Sequence, residues 1–169
     1  MFVIYNFFLS LIIFISPLII LIRIFLGKED QNRFKEKYGF LAKNNNSNEV
    51  VWIHGASVGE ILSIIPIIKK FEKDKKIKRI LITSSTTSSS QILSKFRFKK
   101  TIHQFYPFDL NFLTKHFINH WKPKLAIFVD SEIWPNMFNN LYKKKIPLIL
   151  LNARITKKSF NKWKFFPNF

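Results

Sequence analysis

At 169 residues the chain has room for one α/β domain with a true core, and not for two such domains plus an anchor. It contains no cysteine, which excludes disulfides, a thiol nucleophile and cysteine metal ligands. Its 28 Lys+Arg against 10 Asp+Glu give a formal charge of +18, favouring an anionic partner: nucleic acid, anionic membrane or phosphorylated substrate. Lys and Asn also abound where no partner calls for them, as in Asn44-Asn45-Asn46, so compositional drift accounts for part of that charge.

Residues 2–22 are almost wholly apolar, interrupted by Tyr5, Asn6, Ser10, Ser16 and Pro17. About 20 apolar residues cross a bilayer as a helix, and a proline is tolerated there. No basic n-region precedes the run, and Arg23-Ile24-Phe25 follows it where a cleaved signal would have small residues. The expectation is therefore an uncleaved, single-pass anchor over residues 1–26. Arg23, Lys28, Arg33, Lys35 and Lys37 come next, and the positive-inside rule places the remainder in the cytoplasm. Residues 27–39 read as a short charged helix at the membrane surface, with Glu29 spaced to meet Arg33 and Lys37, and Arg33 to meet Glu36. Residues 43–48 are a polar linker, which completes a connector over 27–48, and a globular domain is expected over 49–169.

Within that domain the elements alternate. Residues 50–53 form a strand, and 58–71 a helix carrying Pro66. Residues 79–83 form a strand, followed by a hydroxyl-rich loop, 83–90, that enters a helix ending near Phe96. Residues 103–106 form a short strand, and Asp109 is placed to cap a helix to about Trp121. Residues 125–129 form a strand, Pro135 opens a helix to Lys143, and 147–151 form a fifth strand. A last amphipathic stretch covers 156–164. Strands separated by helices imply a parallel sheet with helices on both faces.

A parallel sheet gathers all its strand ends at one edge, where α/β proteins keep their sites. The candidate residues follow strands: His54, Gly55, Ser57, Gly59 and Glu60; Thr83 to Thr87; Pro107 and Asp109; Asp130, Ser131, Glu132, Trp134 and Asn136; Asn152 and Arg154. Each also has a plainer reading. Ser57-x-x-Glu60 has the spacing of a capping box. The hydroxyl run serves as turn and cap chemistry or as a phosphate cradle. Asp130 reads as a loop residue, Glu132 as a first-turn residue favoured by the helix dipole, Arg154 as a surface charge and His54 as a hydrogen-bonded structural residue. The four His are too scattered for a metal site, and neither a Walker A lysine motif nor G-x-G-x-x-G occurs.

Taken together, Trp52-Ile53-His54-Gly55-Ala56-Ser57-Val58-Gly59-Glu60, Tyr106-Pro107-Phe108-Asp109, Ser131-Glu132-Ile133-Trp134-Pro135-Asn136 and Leu151-Asn152-Ala153-Arg154 resemble the 3-deoxy-D-manno-octulosonic acid (Kdo) transferases. Gly27-Lys28-Glu29-Asp30 after an N-terminal anchor adds to the match. Asp130 departs from the glutamate usual in the family, and His54-Gly55-Ala56 is a mild variant of its turn. The resemblance implies the N-terminal, acceptor-side Rossmann-like half of a GT-B glycosyltransferase, preceded by one transmembrane helix, with no counterpart of the C-terminal donor domain. It implies a metal-independent, inverting transfer of Kdo from CMP-Kdo to the lipid A precursor of lipopolysaccharide, at the cytoplasmic side of the bacterial inner membrane. CMP-Kdo is then a donor substrate and no cofactor is expected.

By the same resemblance Glu60 is the general base and Glu132 a second functional carboxylate. Ser57, Gly59, Asp130, Asn152 and Arg154 are substrate-binding, and Arg154 suits an oxyanion because a guanidinium binds one as a fork. The expected partners are CMP-Kdo, the lipid A precursor, an anionic membrane surface and a separately encoded C-terminal domain. The alternative is a truncated or split fragment that binds acceptor lipid and membrane but is inactive without that domain. A nucleic-acid partner rests on charge alone and is not expected.

Overall fold

The computed structural model describes residues 2–42, 50–130 and 132–154, together with positions 157 and 161. The expected linker at 43–48, Ser131, and all but two positions of the amphipathic stretch at 156–164 lie outside the described residues.

The helix α1 covers Phe2–Phe25. The expected charged helix after it is much shorter: a 3-10 turn over Phe34–Tyr38, closed by Gly39 at φ 92. The reason is local. The Asp30 carboxylate takes the backbone N–H groups of Asn32 and Arg33, which competes with helix formation there. The ion pairs are partly as spaced: Arg33 meets Glu36 and Lys37 meets Glu29, while Arg23 is the other partner of Glu29. The Arg33–Glu36 pair reaches the domain, since Arg33 donates to Ser90 Oγ and the His103 carbonyl and Glu36 accepts the Phe105 N–H.

The domain follows the expected alternation: β1 Val50–His54, α2 Val58–Lys73, β2 Arg79–Ser84, α3 Thr87–Ser94, β3 Thr101–Phe105, α4 Asn111–Trp121, β4 Pro123–Val129, α5 Pro135–Lys143 and β5 Leu148–Leu151. All pairings are parallel, in the order β3-β2-β1-β4-β5. Winding therefore proceeds outward through β2 and β3, then returns past β1 to β4. That reversal leaves a crevice between the carboxyl ends of β1 and β4, where ligands of open α/β sheets bind.

Each sheet face has its own core. Alternation along β1 sends Trp52 to one side, against Phe117, Trp121, Phe128 and Leu141, and Ile53 to the other, against Ile61, Ile64, Ile68 and Ile82. Each such side chain, fully buried, stabilises the fold by roughly 1.5–3 kcal/mol. α2 runs without interruption through Pro66, which lies on its exposed side, where water can take the carbonyl left without a donor.

Candidate active site

The first wall of the crevice is the β1–α2 junction. Gly55 makes it possible: a Cβ there would lie 3.2 Å from Glu60 Cβ and 3.3 Å from Ile61 Cδ1. α2 can therefore start directly against the strand end. Ser57 caps it, accepting the Glu60 N–H at 3.3 Å and donating its hydroxyl to Glu60 Oε1 at 2.7 Å. Glu60 Oε2 accepts the Ala56 N–H at 2.8 Å. The serine half of the capping box is formed, while Glu60 takes the Ala56 N–H and the Ser57 hydroxyl in place of the Ser57 N–H; these bonds fix both of its carboxylate oxygens. Gly59 is exposed, and a Cβ on it would meet nothing within 4 Å among the described residues.

The second wall comes from β4 and β5. Asp130 and Asn152 both adopt left-handed backbone, φ 58 and 59, which Asp and Asn tolerate better than most residues. The Asp130 N–H donates to the Leu151 carbonyl at 2.8 Å, and Asn152 Nδ2 donates to Asp130 Oδ1 at 2.6 Å. Arg154 reaches Asn152 Oδ1 at 3.4 Å, completing an exposed Asp130–Asn152–Arg154 chain. Glu132 accepts from Trp134 Nε1 at 3.1 Å. Burial holds its carboxyl above the usual range, aided by the negative charges of Glu60 and Asp130 and opposed by the Trp134 bond.

Between the walls stand His54 and Tyr106, with ring centroids 4.2 Å apart. His54 Nε2 is 4.0 Å from Glu132 Oε2. Burial pushes the imidazole down to about 3, so the ring is neutral and this approach is no ion pair. Its Nδ1 is engaged with Thr83 Oγ1 at 2.9 Å, which fits the structural reading of the residue. His54 Nε2 and the Tyr106 hydroxyl are buried without a hydrogen-bond partner among the described residues. Such atoms mark places where water or a ligand is wanted.

Asp109 does not belong to this open crevice, and the expectation that it caps α4 is corrected. The cap of α4 is Leu110, which makes no side-chain bond. Asp109 is buried and caps α5, accepting the N–H groups of Asn136 at 2.9 Å and Met137 at 2.8 Å. It also accepts the Tyr5 hydroxyl of α1 at 2.8 Å. Burial lifts its carboxyl to about 6 against the downward pull of these three bonds. Asn136 Nδ2 donates back to the Asp109 carbonyl and to Asn6 Oδ1. Two of the quoted motifs are thus one clamp.

The hydroxyl run is also committed locally. Thr86 caps α3 through the Ser89 N–H, Thr83 Oγ1 accepts the Trp52 indole N–H, and Ser84 Oγ meets His103. The roles of Tyr5 and Asn6 escaped the sequence reading. The available signal was their polarity within an otherwise apolar helix. Among the described residues no group of three or more His, Asp or Glu gathers as metal ligands would.

A family model described as 3-deoxy-D-manno-octulosonic-acid transferase (Kdo transferase) matches residues 32–169. A 3-deoxy-D-manno-octulosonic acid transferase of Rickettsia bellii is 41% identical over 160 residues, covering 95% of this chain and 38% of that protein. The corresponding protein of Haemophilus influenzae is 30% identical over 161 residues, covering 93% of this chain and 38% of its own length. A probable mitochondrial 3-deoxy-D-manno-octulosonic acid transferase of Arabidopsis thaliana is 33% identical over 163 residues, 95% of this chain and 36% of that protein. The chain therefore spans well under half the length of these relatives.

Proposed function

The chain belongs to the Kdo transferase family, and from that premise we propose that it supplies the acceptor-side wall and the general base for moving Kdo from CMP-Kdo to the lipid A precursor. In this reading Glu60 takes the proton of the acceptor hydroxyl while that oxygen attacks the anomeric carbon of Kdo. CMP leaves with the electrons of the bond it breaks, and the configuration inverts. Ser57 and Ala56 each occupy one acceptor position on the Glu60 oxygens, and a carboxylate retains further lone pairs for the incoming proton. Fixing the base before substrate arrives is what orientation-dependent proton transfer requires.

The other residues take roles suited to their settings. Glu132, with its raised carboxyl, holds a sugar oxygen or positions Kdo across from Glu60. Gly59 leaves the start of α2 bare so that a sugar can approach the backbone. Asp130 and Asn152 carry Arg154, whose guanidinium meets the acceptor phosphate or the Kdo carboxylate. In this reading the domain works at the cytoplasmic face of an anionic inner membrane, where the acceptor lipid resides; the basic chain and its apolar helix support that location. CMP-Kdo itself would be held by the opposite wall of a GT-B cleft, and the reaction calls for neither metal nor cofactor.

One observation carries the proposal: at the topological switch of the sheet, Glu60 of α2 and Glu132 of the β4–α5 loop lie near enough for the charge of one to act on the other, and Glu60 is already fixed by its own helix cap. The test is radiolabelled CMP-Kdo transfer to lipid A precursor, with the chain alone and with the C-terminal half of the Rickettsia bellii relative added. Product is expected in the combined reaction, and Glu60→Gln should lower it by about 10²–10⁴-fold. Undiminished transfer by that variant would remove Glu60 from the role of base. Product from the chain alone would show that it needs no added wall.

A further inference from the structure

α1 is long and apolar enough to cross a membrane, with a hydropathy of 2.6 over Val3–Phe25. Its seat on the domain places it differently. The less exposed positions are 5, 6, 9, 13, 16, 20, 23 and 24, a single stripe at helical spacing. Tyr5, Asn6 and Ser16, polar residues of the apolar run, all lie on it. Tyr5 bonds Asp109, Asn6 bonds Asn136, Ser16 bonds the Tyr38 hydroxyl at 2.7 Å, and Arg23 pairs with Glu29. The domain thus holds α1 near its first turn, and the connector, itself tied to the domain through Arg33 and Glu36, holds its middle and last turn. Apart from Ser10, whose hydroxyl bonds the Asn6 carbonyl, the remaining described surface of α1 is apolar and exposed: Ile4 is 62% exposed, Leu11 47%, Leu18 62% and Phe25 90%.

We propose that α1 lies in the plane of the membrane, its polar stripe docked on the domain and its apolar faces sunk among the acyl chains of one leaflet. Tyr5 and Arg23 are about 27 Å apart along the axis, close to the ~30 Å thickness of a hydrocarbon core. A crossing helix would carry whatever touches Tyr5 to the far side. Here that is Asp109 with its cluster of hydrogen bonds, part of a strongly basic domain that cannot follow. An interfacial helix needs one polar and one apolar face, and docking on the domain provides the first. Phe112, 66% exposed, and Ile133, 48% exposed, are bare apolar side chains in the two segments that hold Tyr5 and Asn6. Those segments adjoin the crevice, which would then open at headgroup level. The proposal deepens the membrane-bound reading above, but its test involves no sugar transfer.

The cysteine-free chain makes single labels clean. Ile4→Cys, Leu11→Cys, Leu18→Cys and Phe25→Cys lie on the side opposite the docked stripe, so none of them should disturb the fold. Each carries a fluorophore, and the full chain is bound to vesicles of phosphatidylethanolamine and phosphatidylglycerol containing lipids brominated at known depths. All four labels should report the same shallow depth, and a spin-label pair at the exposed positions Ile4→Cys and Lys115→Cys, which leaves the Asn6–Asn136 contact intact, should keep its docked separation. Deep readings at positions 11 and 18 with surface readings at 4 and 25 would overturn the proposal in favour of a crossing helix. Failure of all four labels to reach lipid, or a long separation between 4 and 115, would overturn it as well.

Discussion

Gly59 and Gly55 sit four residues apart and lack side chains for opposite reasons. A Cβ at Gly55 would crowd Glu60 and Ile61 by a few tenths of an ångström, whereas Gly59 has open space, and no packing among the described residues demands glycine there. Glycine inside a helix costs roughly 0.5–1 kcal/mol relative to alanine. Gly59→Ala should therefore stabilise the fold by up to about 1 kcal/mol while lowering transfer, a divergence read by a thermal melt beside the transfer assay. A loss of both would point to a structural role instead. The Ser57–Glu60 bond was legible in the sequence because both partners lie within one helical turn. The bond from Trp134 to Glu132 and the 4.0 Å approach of His54 were not. The first depends on how the chain bends after β4, the second on which strands are neighbours.

Strands were legible because each is an apolar run bounded by turn residues, and their boundaries moved by only one or two positions at most ends. Their order was not legible, since alternation alone does not say on which side of β1 the chain continues. Asp109 illustrates the same limit for helices. Standing just before α4, it reads as that helix's cap, yet its carboxylate serves α5, whose first turn begins 26 residues later. Asp109→Ala should then destabilise by about 1–3 kcal/mol, seen as a lower urea midpoint. Asp109→Asn should lose less, because its amide oxygen can still accept from one of the two α5 N–H groups. If both variants melt like the parent, the clamp has no energetic weight.

Acid stability belongs to the whole molecule. Burial holds His54 down at about 3, and burial together with the Arg33 charge does the same for His103, against an ordinary value of 6.5. The folded state therefore refuses protons that the unfolded chain accepts. This contribution is complete above pH 6.5 and lost as the pH falls toward 3. Each imidazole adds a slope of about 1.4 kcal/mol per pH unit within that window. Urea titrations in detergent between pH 7 and 4 should show His103→Gln with a slope flatter by up to that amount. A slope equal to the parent's would show that His103 titrates normally in the fold. The seat of α1 carries a different consequence, one of timing. Tyr5 and Asn6 find their partners 104 and 130 residues later. At about 5–20 residues per second of synthesis, the helix leaves the ribosome several seconds before Asp109 and Asn136 exist. Through that interval its apolar surface needs a lipid or chaperone host, because the domain that docks on it has not yet been made.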